Sequence, residues 1–155
     1  MEFINIWEQS EYHQEVIQFW QELKALPAKV KPEDRAKELV MMAKKDGQVI
    51  GVTTSFRSQV PFLNNKCLFT FRILVHPKFR VPGLTSKLTV MTRDFLESLY
   101  LGNKTACIGM ITFVENQQFI QHRNEAVWRA SKLTFVGNTA EGKQIRLYYF
   151  KGARI

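Results

Sequence analysis

The chain has 155 residues and a formal net charge of +8 at pH 7. Hydrophobic residues make up 45% and charged residues 23%, which excludes a disordered, collagenous or coiled-coil chain. One folded domain over residues 1–155 is expected, large enough to bury roughly 70% of its unfolded surface.

In chain order, Phe3-Ile4-Asn5-Ile6-Trp7 alternates and suits a short first strand. Ser10 opens a helical pattern in which Val16, Phe19, Trp20, Leu23 and Leu26 recur at three and four, with Glu11 and Glu15 in the first turns and Pro27 at the end. Pro32-Glu33-Asp34-Arg35 reads as the first turn of a second, short helix. Leu39–Ala43 leads to the hairpin signal Asp46-Gly47, and Val49–Phe56 is the returning strand. Gln59–Lys66 reads as a loop, and Cys67–Val75 as a strand stopped by Pro77. A helix is expected over Gly83–Leu101, with Leu84, Leu88, Met91, Phe95, Leu96 and Leu99 as its apolar stripe. Thr105–Val114 reads as a continuous apolar strand. Asn116–Ala130 reads as a helix, Lys132–Val136 as a short strand, and Gln144–Lys151 as an aromatic last strand. The order β-α-α-β-β-β-α-β-α-β-β predicts an α/β fold.

Two cysteines, Cys67 and Cys107, lie in apolar runs without metal or disulfide spacing. They read as buried free thiols in a reducing, cytoplasmic setting. No metal site is expected. No run approaches the ~18 apolar residues of a membrane span, so no membrane partner is expected. The charge is uneven. Residues 1–26 hold five Glu against one Lys, net −4, which leaves +12 of the total +8 to residues 27–155. A basic body attracts phosphates and other anions. Nucleic acid is the less favoured partner, because no RNA-binding signature, zinc-finger spacing or helix-turn-helix stands out.

The informative stretch is Ile73-Leu74-Val75-His76-Pro77-Lys78-Phe79-Arg80-Val81-Pro82-Gly83-Leu84-Thr85-Ser86-Lys87-Leu88. A strand ends, a basic loop follows, and a helix starts at a glycine. Amides at a helix start have no partner inside the helix and present the positive end of its dipole, which suits a pyrophosphate. Lys78 and Arg80 add charge, and the Thr85 and Ser86 hydroxyls add hydrogen-bonding capacity.

Arg80-x-x-Gly83-x-Thr85 resembles the Q/R-x-x-G-x-G/A signature of the GNAT superfamily of acyl-CoA-dependent N-acyltransferases. Ile73-x-Val75-x-Pro77 is similar to that family's strand end, and the element order fits from about residue 3 to 151. The resemblance implies a mixed, mostly antiparallel sheet with helices on both faces. It implies acetyl-CoA or another acyl-CoA as co-substrate and a primary amine as acceptor, a small molecule or a protein. The pantetheine arm would run along Ile73, Leu74 and Val75. Amides around Val81, Gly83, Leu84 and Thr85 would cradle the pyrophosphate beside Arg80 and Ser86. Asn116 matches the family's Asn after the next strand.

The resemblance has departures. Thr85 stands where Gly or Ala is usual, and Pro82 removes one amide donor. The expected strand-four base is missing, because Phe69, Phe71, Ile73 and Val75 form an apolar face. Ala130 or Ser131 falls where the family has its acidic Tyr. Glu115 is then the best-placed carboxylate for a base, and Ser131 the remaining candidate acid. Glu115-Asn116 also reads as a plain helix start. The alternative function is a non-catalytic GNAT-fold protein that binds a CoA ester or a partner macromolecule. A homodimer through the aromatic last strand is compatible with the sequence.

Overall fold

Asp46 and Gly47 take φ of 51° and 77°, the two positive values that a type I′ hairpin turn requires. They join β2 (Leu39–Lys45) to β3 (Gln48–Val60) in a computed structural model that describes residues 1–155. The other elements are β1 (Glu2–Asn5), α1 (His13–Glu22), α2 (Pro32–Ala36), β4 (Lys66–Val75), α3 (Leu84–Leu101), β5 (Gly109–Val114), α4 (Gln117–His122), β6 (Thr134–Asn138) and β7 (Gln144–Tyr149). The strand order is β1-β2-β3-β4-β5-β7-β6. β4 and β5 run parallel, while β1/β2, β2/β3, β5/β7 and β6/β7 are antiparallel. The expected α/β class and mostly antiparallel sheet are present.

The chain forms two compact units, Met1–Ser55 with Arg72–Thr92, and Phe56–Phe71 with Arg93–Ile155. In the first unit, Val16, Phe19 and Trp20 of α1 are buried with Ile6, Leu39, Met42 and Val52. Each such side chain contributes about 1.5–3 kcal/mol on leaving water. Thr53, next to Val52, points to the opposite face and meets α3, its Oγ1 lying 2.7 Å from Thr92 Oγ1. Helices therefore cover both faces of this unit's strands. The Thr53 hydroxyl also accepts the Met41 amide at 3.1 Å, where the β2/β3 register shifts between Leu39 and Met42. A side chain thus satisfies a donor that the irregular ladder leaves unpaired.

In the second unit, β7 lies between β5 and β6, and Ile111, Ile145, Leu147, Leu68 and Val60 form the core. Both edges of β7 are paired inside the sheet, so the last strand offers no backbone edge for a dimer. Cys67 and Cys107 are joined by a disulfide, which corrects the reading of two free thiols. The Cys67 carbonyl accepts the Ile108 amide at 2.9 Å. That pairing brings together cysteines forty positions apart, an adjacency that spacing does not reveal. No helix is long and apolar enough to cross a membrane.

Several boundaries differ from expectation. The first helix begins as a 3-10 turn at Ser10–Tyr12 and ends at Glu22 rather than Leu26, because Lys24 takes a left-handed φ of 51°. β3 extends to Val60, which shortens the expected loop. The helix expected over Asn116–Ala130 spans only Gln117–His122. Arg146 explains that difference. Its side chain is fully buried, 1% exposed. It donates to the carbonyls of Glu125 (2.7 Å), Ala126 (3.2 Å) and Leu133 (3.2 Å) and reaches that of Arg123 at 3.5 Å. Trp128 Nε1 also donates to Arg123 O at 2.8 Å. Carbonyls that a longer helix would use internally are bound by side chains instead, and the segment folds as an irregular loop over the Arg146 guanidinium.

Candidate functional site

The first unit contains Ile73, Leu74, Val75, Arg80, Val81, Gly83, Leu84, Thr85 and Ser86 of the residues expected to hold an acyl-CoA, and the second unit contains Asn116. β4 ends at Ile73, Leu74 and Val75. Leu74 packs against the α1 core and Val75 is buried, which anchors the strand end on one side. His76 then donates its amide to Ile50 O at 2.7 Å and accepts the Lys78 amide on Nδ1 at 3.1 Å, capping a 3-10 turn over Pro77–Phe79. Arg80 has φ −77° and ψ 70°, the values of an inverse γ-turn, closed by Val81 N–H to Phe79 O at 2.8 Å.

Gly83 has φ +84°, and a Cβ built there meets nothing within 4 Å. The position favours glycine for its backbone conformation and faces open space. At the helix start, Leu84 N–H reaches Val81 O at 3.3 Å and Lys87 N–H reaches Gly83 O at 2.9 Å. The amides of Gly83, Thr85 and Ser86 have no acceptor within the chain. Three donors lie at the positive end of an eighteen-residue helix, beside exposed Arg80 and Lys78, so positive charge and free N–H groups meet at this surface. Leu84 is buried and seats the helix. Pro82 costs one donor without closing the junction. Thr85 accepts the Thr89 hydroxyl on its carbonyl at 2.7 Å. Lys87, in the first turn of α3, lies over the Phe3 ring at 4.3 Å, where its charge is held by an aromatic face.

Three sequence candidates lie in the second unit. Asn116 is exposed, and its side chain accepts the Phe119 amide at 3.0 Å as the cap of α4. Glu115 is 71% exposed at its side chain and pairs with Lys143 at 3.0 Å. Ser131 is 4% exposed. Its Oγ accepts the Leu133 amide at 3.3 Å and its carbonyl accepts from Arg93 at 2.7 Å. Each of these polar groups already has a structural partner.

Sequence reasoning passed over Glu38. It follows α2, is half-buried, and lies 3.3 Å from the Arg72 guanidinium of β4. Burial pushes its carboxyl up, against the opposing charges of Arg35 and Arg72. Burial and the Arg72 charge push the Arg35 guanidinium down, against Glu38. The Arg35/Glu38 spacing at the end of a short helix was the only sequence signal, and the third member is 34 positions from Glu38. Tyr148 is pushed up by burial and by its bond to Glu97 at 2.9 Å. That hydroxyl stays protonated and donating near neutrality.

No family model matches the chain, and no curated protein matches it. Solved structures do. An acetyltransferase of the GNAT family from Streptococcus pneumoniae has a TM-score of 0.65 and 11% identity, with 96% of this chain and 99% of that chain covered. YncA from Salmonella typhimurium, solved with its cofactor acetyl-CoA, has a TM-score of 0.63 and 14% identity over 100% and 98% of the two chains. NAA60 from Arabidopsis thaliana, in complex with acetyl-CoA, has a TM-score of 0.60 and 13% identity over 97% and 99%. These likenesses show that the chain has the GNAT fold.

Proposed function

We propose that this GNAT-fold chain is an acyl-CoA-dependent N-acyltransferase, most simply an acetyltransferase acting on a primary amine. The observation that carries this reading is the set of unpartnered amides at Gly83, Thr85 and Ser86, placed directly after the β4 end. The likeness to chains solved with acetyl-CoA supports it. The two phosphates of the cofactor's pyrophosphate would take those amides and Arg80. Its pantetheine amides would pair with the backbone of Ile73–Val75, as an added strand does.

The amine nitrogen would attack the thioester carbon directly. A C–N bond forms, the C–S bond breaks, and the electron pair leaves on sulfur. The amine gives up one proton and the thiolate takes one. A backbone amide near Leu74–Val75 would stabilise the charge developing on the carbonyl oxygen. Glu115 and Ser131, the sequence candidates for base and acid, lie in the second unit with partners of their own, and the reading assigns the proton transfers to solvent. Neither cysteine takes part.

A second reading, a non-catalytic protein that binds a CoA ester, is favoured by one observation. The family's acidic Tyr falls on Ala130 or Ser131 by the resemblance, neither a Tyr, and Ser131 is buried with its hydroxyl engaged in a turn. One experiment separates the two. Acetyl-CoA at about 100 times its Kd should stabilise the fold by about 2.7 kcal/mol, read as a rise in Tm. Stabilisation with thiol release in an amine panel supports transfer, and stabilisation without it supports binding alone. The absence of any shift with acetyl-CoA, longer acyl-CoAs or free CoA would sink both.

A further inference from the structure

His76 occupies the joint between β4 and the loop that leads to α3. Its ring is held by two aromatic neighbours, Phe19 of α1 with centroids 6.4 Å apart and Phe79 edge-on at 5.3 Å. Its amide is anchored on Ile50 O at 2.7 Å. From this residue a run of short-range bonds carries the backbone to the helix. Lys78 N–H donates to His76 Nδ1 at 3.1 Å, and Phe79 N–H to His76 O at 2.9 Å. Val81 N–H then donates to Phe79 O at 2.8 Å, and Leu84 N–H to Val81 O at 3.3 Å. Arg80 lies within this run and Gly83 near its end. Of these links, only the one to Nδ1 is made by a side chain, and only that one responds to a proton.

The charged groups near the ring are cations or partnered acids. Lys45 of β2 lies 5.9 Å from the Phe79 centroid, and Lys78 and Arg80 belong to the turn itself. On α1, the acids one turn either side of Phe19 are Glu15, paired with Lys44 at 2.6 Å, and Glu22, bonded by Gln18 at 3.2 Å. Asp46 follows Lys45 in the β2–β3 turn and is exposed, and β3 around Ile50 carries no charge. No carboxylate pairs with the imidazole. A ring nitrogen accepts only when it carries no proton, so the bond to Lys78 requires the neutral ring with its hydrogen on Nε2. A proton taken from solvent on Nδ1 turns that acceptor into a donor facing another donor. The Lys78 amide loses its partner, and the stretch carrying Lys78 and Arg80 loses its first tether.

We infer that His76 is a positioning residue for the phosphate loop, and that its protonation weakens the hold of that loop on the pyrophosphate of an acyl-CoA. This rests on acyl-CoA binding at the loop, which both readings above share. His76 touches no substrate and moves no proton in the transfer. Its role makes binding sensitive to acid, although the Gly83, Thr85 and Ser86 amides and Arg80 do not titrate in histidine's range.

The test measures the Kd of free CoA by calorimetry for wild type, His76→Asn and His76→Ala. Each is measured at about pH 8 and about pH 5.5, on either side of histidine's range. Asparagine keeps an acceptor for the amide two residues on and does not titrate. The ligand's own phosphate titration cancels when proteins are compared at one pH. The wild-type Kd relative to that of His76→Asn should rise about fivefold from the higher pH to the lower, the scale of one hydrogen bond. His76→Ala should bind more weakly than wild type at the higher pH and match it at the lower. A constant ratio overturns the assignment. So does a ratio that falls in acid, where the new positive charge would be attracting the phosphates. Nitrogen NMR of wild type alone gives a second readout. The neutral ring should carry its proton on Nε2, and a proton on Nδ1 overturns the cap even where a variant fails to fold. A constant ratio with firm binding removes only the role of His76. If wild type binds CoA at neither pH, the acyl-CoA reading fails and takes this role with it.

Discussion

The Arg146 guanidinium lies 4.1 Å from the centroid of the Trp128 ring, stacked beneath a loop whose carbonyls it also binds. Burial, together with the Arg123 charge, pushes this guanidinium below its usual range, against Glu125. The group remains cationic because arginine ionises so far above neutrality. Arg146→Met should cost about 3 kcal/mol, since several buried carbonyls lose a charged donor together. Arg146→Lys should recover little, because an ammonium cannot span the same fork of acceptors. Urea midpoints measure both, and a midpoint unmoved in Arg146→Met would remove this residue as the organiser of the 123–133 loop.

The Cys67–Cys107 bond closes a loop with a sequence separation of 40. Chain-entropy arguments give such a loop about 4 kcal/mol of stabilisation. Protein unfolded without reductant should therefore show no free thiol, and two after reduction. The Cys67→Ser/Cys107→Ser double variant should melt at a lower temperature. Two titratable thiols in the untreated protein would contradict the link.

At Gly83 the two demands of the loop can be separated. Gly83→Ala keeps the space nearly open but places a Cβ on a left-handed residue, which should cost about 1 kcal/mol of stability. Gly83→Glu adds a carboxylate where phosphates are expected. It should lose the acetyl-CoA shift in Tm while keeping the far-ultraviolet dichroism of the wild type. A full shift in the glutamate variant would place the cofactor elsewhere.

Glu38 makes stability depend on pH in a defined direction. Burial raises its carboxyl above the ordinary value of 4.5 in the folded chain. The folded state therefore holds this proton more firmly than the unfolded state does. The stability tied to that proton is fully present below the ordinary carboxylate value and is lost as pH rises through the raised one. Glu38→Gln removes the dependence. The Tm of the variant relative to wild type should therefore climb between pH 4 and pH 7 (about where a raised carboxylate titrates). A difference constant over that range would show that the carboxyl is not held up.

The elements that sequence made legible were those specified locally. Asp46-Gly47 encodes its turn in two residues, and β4 announces itself by an apolar run closed by Pro77. The basic loop before Gly83 could be read because strand end, glycine and helix start are consecutive. What was hidden depended on distant partners. Arg146 is one basic residue among many in the sequence, and the carbonyls of residues 123–133 that bury it lie far from it along the chain. Helical periodicity at Phe119, Ile120, Val127 and Trp128 was cut short by that same contact. Glu38 gave no signal on its own, because its environment is supplied by a residue on β4. Part of the basic surplus is therefore interior framework, and part sits on the loop before Gly83.

The two compact units are interleaved along the chain, since Arg72–Thr92 belongs with the amino-terminal residues and Phe56–Phe71 with the carboxy-terminal ones. On the ribosome, the first unit cannot close when its opening 55 residues emerge. It must wait for residues 72–92, while 56–71 emerges before them and waits for partners that follow Arg93. A fragment ending anywhere before Thr92 leaves both units incomplete. Release of an early-terminated chain should therefore yield a target for proteolysis rather than half of a working protein.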